Sequence, residues 1–199
     1  MRWLLGSIIA LVIAIAVYLG LAASSLSKLA SAARAGDGAK VLEQSDIKAL
    51  NRSLTNQIVG AYLERIGGTR RISPMEKTLI NTYGASIADA MVAKMLTADK
   101  LTEMLKTGKL QGTTGLPTFA GLPALGDLPT ENWLSLLGRV HLIQPVLLGI
   151  RVSETSDPES YAAINLHFEG SDWKLAGLEL PKAIVRSLAA ALPVKYTNP

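Results

Sequence analysis

Residues 161–168, Tyr161-Ala162-Ala163-Ile164-Asn165-Leu166-His167-Phe168, change the rhythm of the chain. Ala162, Ile164, Leu166 and Phe168 alternate with Tyr161, Ala163, Asn165 and His167, and a period of two places the first set on one face of a half-buried strand. Upstream, Val146, Leu148, Ile150 and Val152 alternate in the same way with Leu147, Gly149, Arg151 and Ser153, and Asp157-Pro158 separates the two runs. Gly170-Ser171-Asp172 turns the chain into Trp173 to Leu180, and Val140 to Ile143 reads as one more strand ahead of them. These segments predict an antiparallel meander of three to four strands. Pro181 then opens a terminal helix with Ile184, Val185 and Leu188 on its apolar side.

Toward the N-terminus the period becomes helical. Ser24 to Arg34 carries Leu26, Leu29, Ala30 and Ala33 on one stripe and ends at Gly36-Asp37-Gly38. A short helix from Ala39 to Glu43 leads to Ser45-Asp46, either of which can cap the next helix. That helix runs to about Ile66 with Ile47, Leu50, Leu54, Ile58, Ala61 and Leu63 recurring along one side, and Gly67-Gly68 stops it. Ser73-Pro74-Met75-Glu76 predicts a further start: a capping serine, a proline at the first helical position and a glutamate that closes a capping box. Behind it Met75, Leu79, Tyr83, Ile87, Met91 and Met95 repeat every four residues as a core face, with a ligand cavity as the rival reading. Thr97 caps a last helix containing Leu101, Met104 and Leu105, ended by Gly108. Helices first and hairpins later define an α+β domain, its helices covering one face of a curved antiparallel sheet.

Between these halves, Gly108 to Thr130 holds five glycines and three prolines, with no charge from Leu110 to Gly126. Leu116-Pro117, Leu122-Pro123 and Leu128-Pro129 recur every six residues, with Phe119 and Leu125 between them. A loop this long is uncommon in a compact domain. Its leucines and phenylalanine leave three readings open: a lid, a docking strip for a partner (Leu116, Phe119, Leu122, Leu125, Leu128) or a tolerated insertion. A short helical turn with Trp133, Leu134 and Leu137 follows. The expected organisation is a membrane helix over 1–23, a helical half over 24–107, the Gly/Pro-rich loop over 108–130 and a sheet with its terminal helix over 131–199.

The membrane assignment rests on Trp3 through Ala23, which contains no charged residue. As a helix the run is about 31 Å long, close to the hydrocarbon thickness of a bilayer. Trp3 and Tyr18 lie toward its ends, where amphipathic rings favour the interface. The competing reading is a cleaved signal peptide, since Gly20, Ala22, Ala23 and Ser24 are small. Against it, the apolar run exceeds the usual ~7–15 residues, and helix-permissive sequence continues without a turn. A single-pass anchor is therefore expected. Positive charges flank both ends, so charge counting alone does not orient it.

Composition excludes several functions. The 199 residues include no cysteine, which removes disulfides, thiolate zinc sites and cysteine nucleophiles. Net charge is +4 with a pI near 9.4 and mean hydropathy +0.28. Lys28 to Met75 carries eight basic against four acidic residues, close behind the apolar run, where anionic head groups lie. No run of four basic residues and no aromatic interleaving is present, which speaks against nucleic acid. His141 and His167, the two histidines, fall in strands without further ligands at local spacing. Gly108-Lys109 is followed by leucine, so no phosphate-binding loop forms, and no Gly-x-Ser-x-Gly elbow is present. Asp37, Asp46, Asp89 and Glu169 remain as carboxylates able to converge in space. Asp89, mid-helix beside Ile87, Ala90 and Met91, is the one candidate for a buried catalytic base; a surface carboxylate is the plainer reading. No cofactor or metal is expected.

Leu29-Ala30-Ser31-Ala32-Ala33-Arg34-Ala35-Gly36-Asp37, then Val41-Leu42-Glu43 and Asp46, then Leu50-Asn51-Arg52-Ser53-Leu54 and Ile87-Ala88-Asp89-Ala90-Met91-Val92, form a recurring order of motifs that closes with Trp173-Lys174-Leu175 and Leu180-Pro181. In this order the chain resembles the bacterial domain-of-unknown-function 2939 family of membrane-anchored proteins. Where the family pattern favours Val-Asp-Phe, this chain has Ser45-Asp46-Ile47. The resemblance implies a bacterial source and a domain on the periplasmic side of the inner membrane, and it transfers no catalytic residue. At fold level the expected helices on a curved sheet are also similar to the nuclear-transport-factor-like cone. The leading expectation is a non-enzymatic binding or interaction module of the envelope, acting on a partner protein, a lipid or a small apolar ligand. An enzyme with an apolar pocket and a buried carboxylate, and a structural envelope component, are the alternatives.

Overall fold

The structure, a computed structural model, describes residues 2–107, 109–110, 119–120, 138–153, 157 and 159–192. It is α+β, with helices first and a four-stranded antiparallel open sheet and terminal helix after them. The first helix, α1 (Arg2–Arg34), runs without a break through the apolar segment and the small-residue stripe behind it. The stripe is buried as its spacing predicts: Leu26, Leu29, Ala30 and Ala33 are all in the core. Gly36 ends α1 in the left-handed region, φ +64°. Its N–H reaches the Ala33 carbonyl and the Asp37 N–H reaches the Ala32 carbonyl, each at 3.0 Å, which satisfies two of the helix's last carbonyls.

Asp37 then caps α2 (Gly38–Glu43) by accepting from the Lys40 N–H at 3.0 Å. Of the two candidate caps for α3 (Ile47–Gly67), Asp46 does the work, accepting from the Ala49 N–H at 3.1 Å. Ser45 is buried instead and donates to the Val41 carbonyl at 2.6 Å. On α3, Leu50, Leu54 and Ile58 are buried as expected, but Ile47 at the stripe's start is 48% exposed. Thr55, Val59 and Tyr62 form a second buried line. The helix packs both on the last strand and on the helices around it, so one stripe does not describe it.

Ser73 caps α4 (Pro74–Leu79), accepting from the Glu76 N–H at 3.2 Å, with Pro74 at the first turn. The carboxylate of Glu76 pairs with Arg70, and this contact is the main reason its pKa lies below the usual value. The four-residue stripe needs correction. A π-helical turn at Ile80–Gly84 joins α4 to α5 (Ala85–Met95). The buried line is Ile80, Gly84, Ala88, Met91, Val92 and Met95. Met75, Leu79 and Tyr83 point outward at 76%, 40% and 64% exposure. A strict four-residue repeat drifts about 40° per step around a 3.6-residue helix, and the wider turn resets the face by one position. Helix α6 (Ala98–Thr107) starts at Thr97, whose hydroxyl accepts from the Lys100 N–H at 3.4 Å. The strands β1 (Lys109–Leu110) and β2 (Phe119–Ala120) pair antiparallel beside it.

The main sheet runs in the order β3 (Val140–Gln144), β4 (Leu147–Arg151), β5 (Ala163–Glu169), β6 (Asp172–Glu179), all antiparallel. Leu148, Leu166 and Leu175 stand in cross-strand register, as do Ile150, Ile164 and Leu178, and they build the core with α1, α3 and the terminal helix α7 (Lys182–Ala190). The free edge of β6 is closed from the helical half. The Leu175 N–H donates to the Gln44 carbonyl and its carbonyl accepts from the Asp46 N–H, both at 2.9 Å. Further along, the Gln57 side chain donates to the Leu178 carbonyl and accepts from the Leu180 N–H. An unpaired edge invites pairing with another chain, and here backbone and side chain cover it.

Candidate functional site

Where α1 leaves the domain it is joined to the sheet by three aromatic rings. Tyr18 lies edge-on to Trp173, centroids 4.8 Å apart, and tilted against Phe168 at 5.8 Å; Phe168 and Trp173 are 5.4 Å apart. The Tyr18 hydroxyl donates to the Pro145 carbonyl at the β3–β4 turn. Two helical turns on, the buried hydroxyl of Ser25 accepts from the Trp173 backbone N–H at 3.2 Å. The domain therefore grips the helix from Tyr18 onward, inside the uncharged run. On the N-terminal side of that grip the helix is bare: Leu5, Ile8, Ile9, Leu11, Val12, Ile13, Ile15 and Val17 are all exposed.

Beside the grip, α1 and the sheet leave a partly enclosed groove of about 580 Å³, within the size of small-molecule sites. Val12, Ile15, Leu19 and Leu26 line one wall, and Val140, Leu148 and Ile150 the other. No lining residue is titratable. A groove of this chemistry can hold a hydrocarbon chain but offers it no acid, base or nucleophile.

The predicted carboxylates lie elsewhere and do not converge. Asp37 and Asp46 are spent on helix caps. Glu169 sits at the β5–β6 turn, 3.5 Å from the Lys174 ammonium. Asp89 is exposed, in a shallow depression between α3 and α5 with Lys48, Arg52 and Ser86 on its walls. The expectation of a buried base at Asp89 does not hold, because Ala88 and Met91 take the inward positions of that helix. A more polar cleft of about 600 Å³ lies between α3, α7 and the start of the β6–α7 connection. Glu64, Glu179 and Tyr161 face it, and Glu159 is paired with Arg186 across its rim. Burial and the nearby Glu179 push the Tyr161 hydroxyl pKa up. Among the described residues no three carboxylates or histidines come close enough to hold a metal. Of the proposed partner strip, Phe119 lies in β2, whereas Leu116, Leu122, Leu125 and Leu128, and the turn with Trp133, fall outside the described residues.

Sequence reasoning placed Tyr18 at a membrane interface and gave Ser25 no role. The signal was present: Tyr18, Ala22, Leu26, Leu29 and Ala33 form one continuous helical stripe that crosses from the apolar run into the core helix.

Fold and site define a class: an α+β domain built around the distal half of a helix that is long and apolar enough to cross a membrane, with an apolar groove where the two meet. The chain is similar to the family described as Protein of unknown function (DUF2939), whose model matches residues 10–104, as the sequence motifs indicate. The match runs from the middle of the apolar segment to α6, and the closing motif around Trp173 lies beyond it. No curated protein and no solved structure matches the chain.

Proposed function

We propose that this chain is a single-pass protein of the bacterial inner membrane whose periplasmic, non-enzymatic domain binds the acyl chain of a membrane lipid. The observation that carries the reading is continuity. The groove between α1 and β3–β4 opens beside the bare apolar turns of α1, with no polar residue between them. An apolar surface already in contact with lipid gains little from the hydrophobic effect, so a chain enters such a groove by packing contacts alone. Retention of the helix is supported by the aromatic cluster: cleavage near Ala23 would strip Tyr18 and Ala22 from the core and leave Trp173 and Phe168 uncovered. The absence of any titratable lining residue favours holding a ligand over converting it.

The test is native mass spectrometry of the protein extracted from membranes in mild detergent, with Gly20→Phe as the blocked form. A Cβ at Gly20 meets nothing within 4 Å, so the ring has room to fill the groove. Wild type is expected to carry one phospholipid and Gly20→Phe none. A wild type without lipid, a variant that keeps it, or photocrosslinks from the groove to residues 111–137 of the same chain would each overturn the reading.

A further inference from the structure

The β3–β4 hairpin ends in large apolar side chains that nothing among the described residues covers. Leu142 is 65% exposed and Ile143 and Val146 are 42% exposed. From Val140 to Ile150 the hairpin has no Asp, Glu, Lys or Arg. The first charges on either side, Arg139 and Arg151, stand together at its base, where the Arg151 N–H donates to the Arg139 carbonyl at 3.0 Å. Isolated exposed apolar residues are ordinary, but three within five residues of one hairpin tip, with the uncharged Gln144 and Pro145 exposed between them, ask for an apolar environment.

The position of this patch along α1 says which environment. Its turn is fastened to Tyr18 through the Pro145 carbonyl. From Trp3 to Tyr18 the helix rises only about 22 Å, against a hydrocarbon thickness of about 30 Å. If the bilayer began at Trp3 and ended at Tyr18, the helix would be too short by about 8 Å, and Leu19 to Ala23 would stand in water or head groups. Sinking the hairpin tip beside α1 removes that mismatch and covers Leu142, Ile143 and Val146 at once. The neighbouring β5–β6 turn, at the same end of the sheet, has the opposite chemistry: Glu169, Ser171 and Asp172 are exposed there. Charges are costly in hydrocarbon, so the two turns cannot enter to the same depth.

Resting on the reading of α1 as a retained anchor, we infer that the β3–β4 tip is a membrane wedge: Leu142, Ile143 and Val146 sit among the acyl chains of the bilayer that α1 spans, while the acidic β5–β6 turn stays at the aqueous surface. The domain thus leans on the bilayer with its β3 edge down. This posture turns the mouth of the groove toward the lipid that supplies its ligand.

The chain has no cysteine, so single thiols can be placed without background. Ile9→Cys on bare α1, Ile143→Cys at the tip and Ser171→Cys at the acidic turn, each in the full chain, would carry an environment-sensitive fluorophore in vesicles of phosphatidylcholine and phosphatidylglycerol. Spin-labelled lipid is expected to quench the first two and spare the third, and aqueous iodide to do the reverse. Quenching of position 143 by iodide as strongly as 171, with position 9 still protected, would overturn the wedge and leave the anchor standing. Exposure of position 9 to iodide would remove the anchor itself, and the wedge with it. Equal lipid quenching at 143 and 171 would overturn the one-sided posture.

Discussion

His141 and Gly149 face each other across β3 and β4, and a Cβ at Gly149 would come within 2.2 Å of the imidazole Nε2. The glycine leaves room for the ring in a strand whose other residues, Leu147, Leu148, Ile150 and Arg151, all carry large side chains. Gly149→Ala must push the exposed imidazole aside and should destabilise the domain by up to about 1 kcal/mol, the low end of the range for overpacking. His141→Ala should restore most of the loss in a double-mutant cycle by chemical denaturation; additive losses would mean that the clash is not the cause. Asp37 sets a pH dependence at the same scale. Its pKa is lowered from the ordinary 3.8, first by the Lys40 backbone N–H and then by the Lys40 ammonium. A folded-state value below the unfolded one adds stability above the ordinary value, which is lost as the pH falls through the lowered one. Below pH 3.8, then, wild type should lose stability more steeply than Asp37→Asn, read from denaturation midpoints against pH.

Among the elements, the edge of β6 depends on one side chain. Gln57 serves both the Leu178 carbonyl and the Leu180 N–H. Gln57→Leu leaves both groups without that partner and should cost about 1–3 kcal/mol, with faster amide exchange at Leu180. Protection at Leu180 unchanged from wild type would show that the strap is dispensable. The helical half shows how far a pattern can be read. Caps at Ser73 and Thr97, and at Asp46 as one of two neighbouring candidates, were legible because capping is decided within four residues. The outward turn of Met75, Leu79 and Tyr83 was not, because one π-turn shifts the face by one residue and leaves composition unchanged.

For the whole molecule the question is where the uncharged apolar run ends and the domain begins, and the two overlap. Tyr18 belongs to the uncharged run and, half-buried, packs against the core cluster. Tyr18→Ala should unseat the hairpin and cost about 3 kcal/mol, the scale of a lost aromatic. Tyr18→Phe, which keeps the ring, should cost about 1 kcal/mol for the hydroxyl. Amide exchange across β3–β4 distinguishes the two, and equal protection in both variants would mean that the ring does not hold the turn. Removal of residues 1–23 should go further, giving a domain that binds hydrophobic dyes through the uncovered Trp173 and Phe168. A truncated chain as stable and as dye-free as the full one would favour a cleaved leader.

Much of this protein was determined by local sequence: the long apolar helix, the capped helices behind it, the four-stranded meander with its Gly170 turn, and the lack of metal or nucleophile motifs. Each of these depends on periodicity or on contacts within a few residues, where one chain position constrains the next. Tertiary structure alone decided which turn of α1 meets the sheet, that Ser25 bonds Trp173 across 148 residues, that Asp89 faces outward, and that an apolar groove opens where helix and hairpin diverge. Those facts depend on how two surfaces distant in sequence come to rest against each other. No period or spacing records the angle at which they meet.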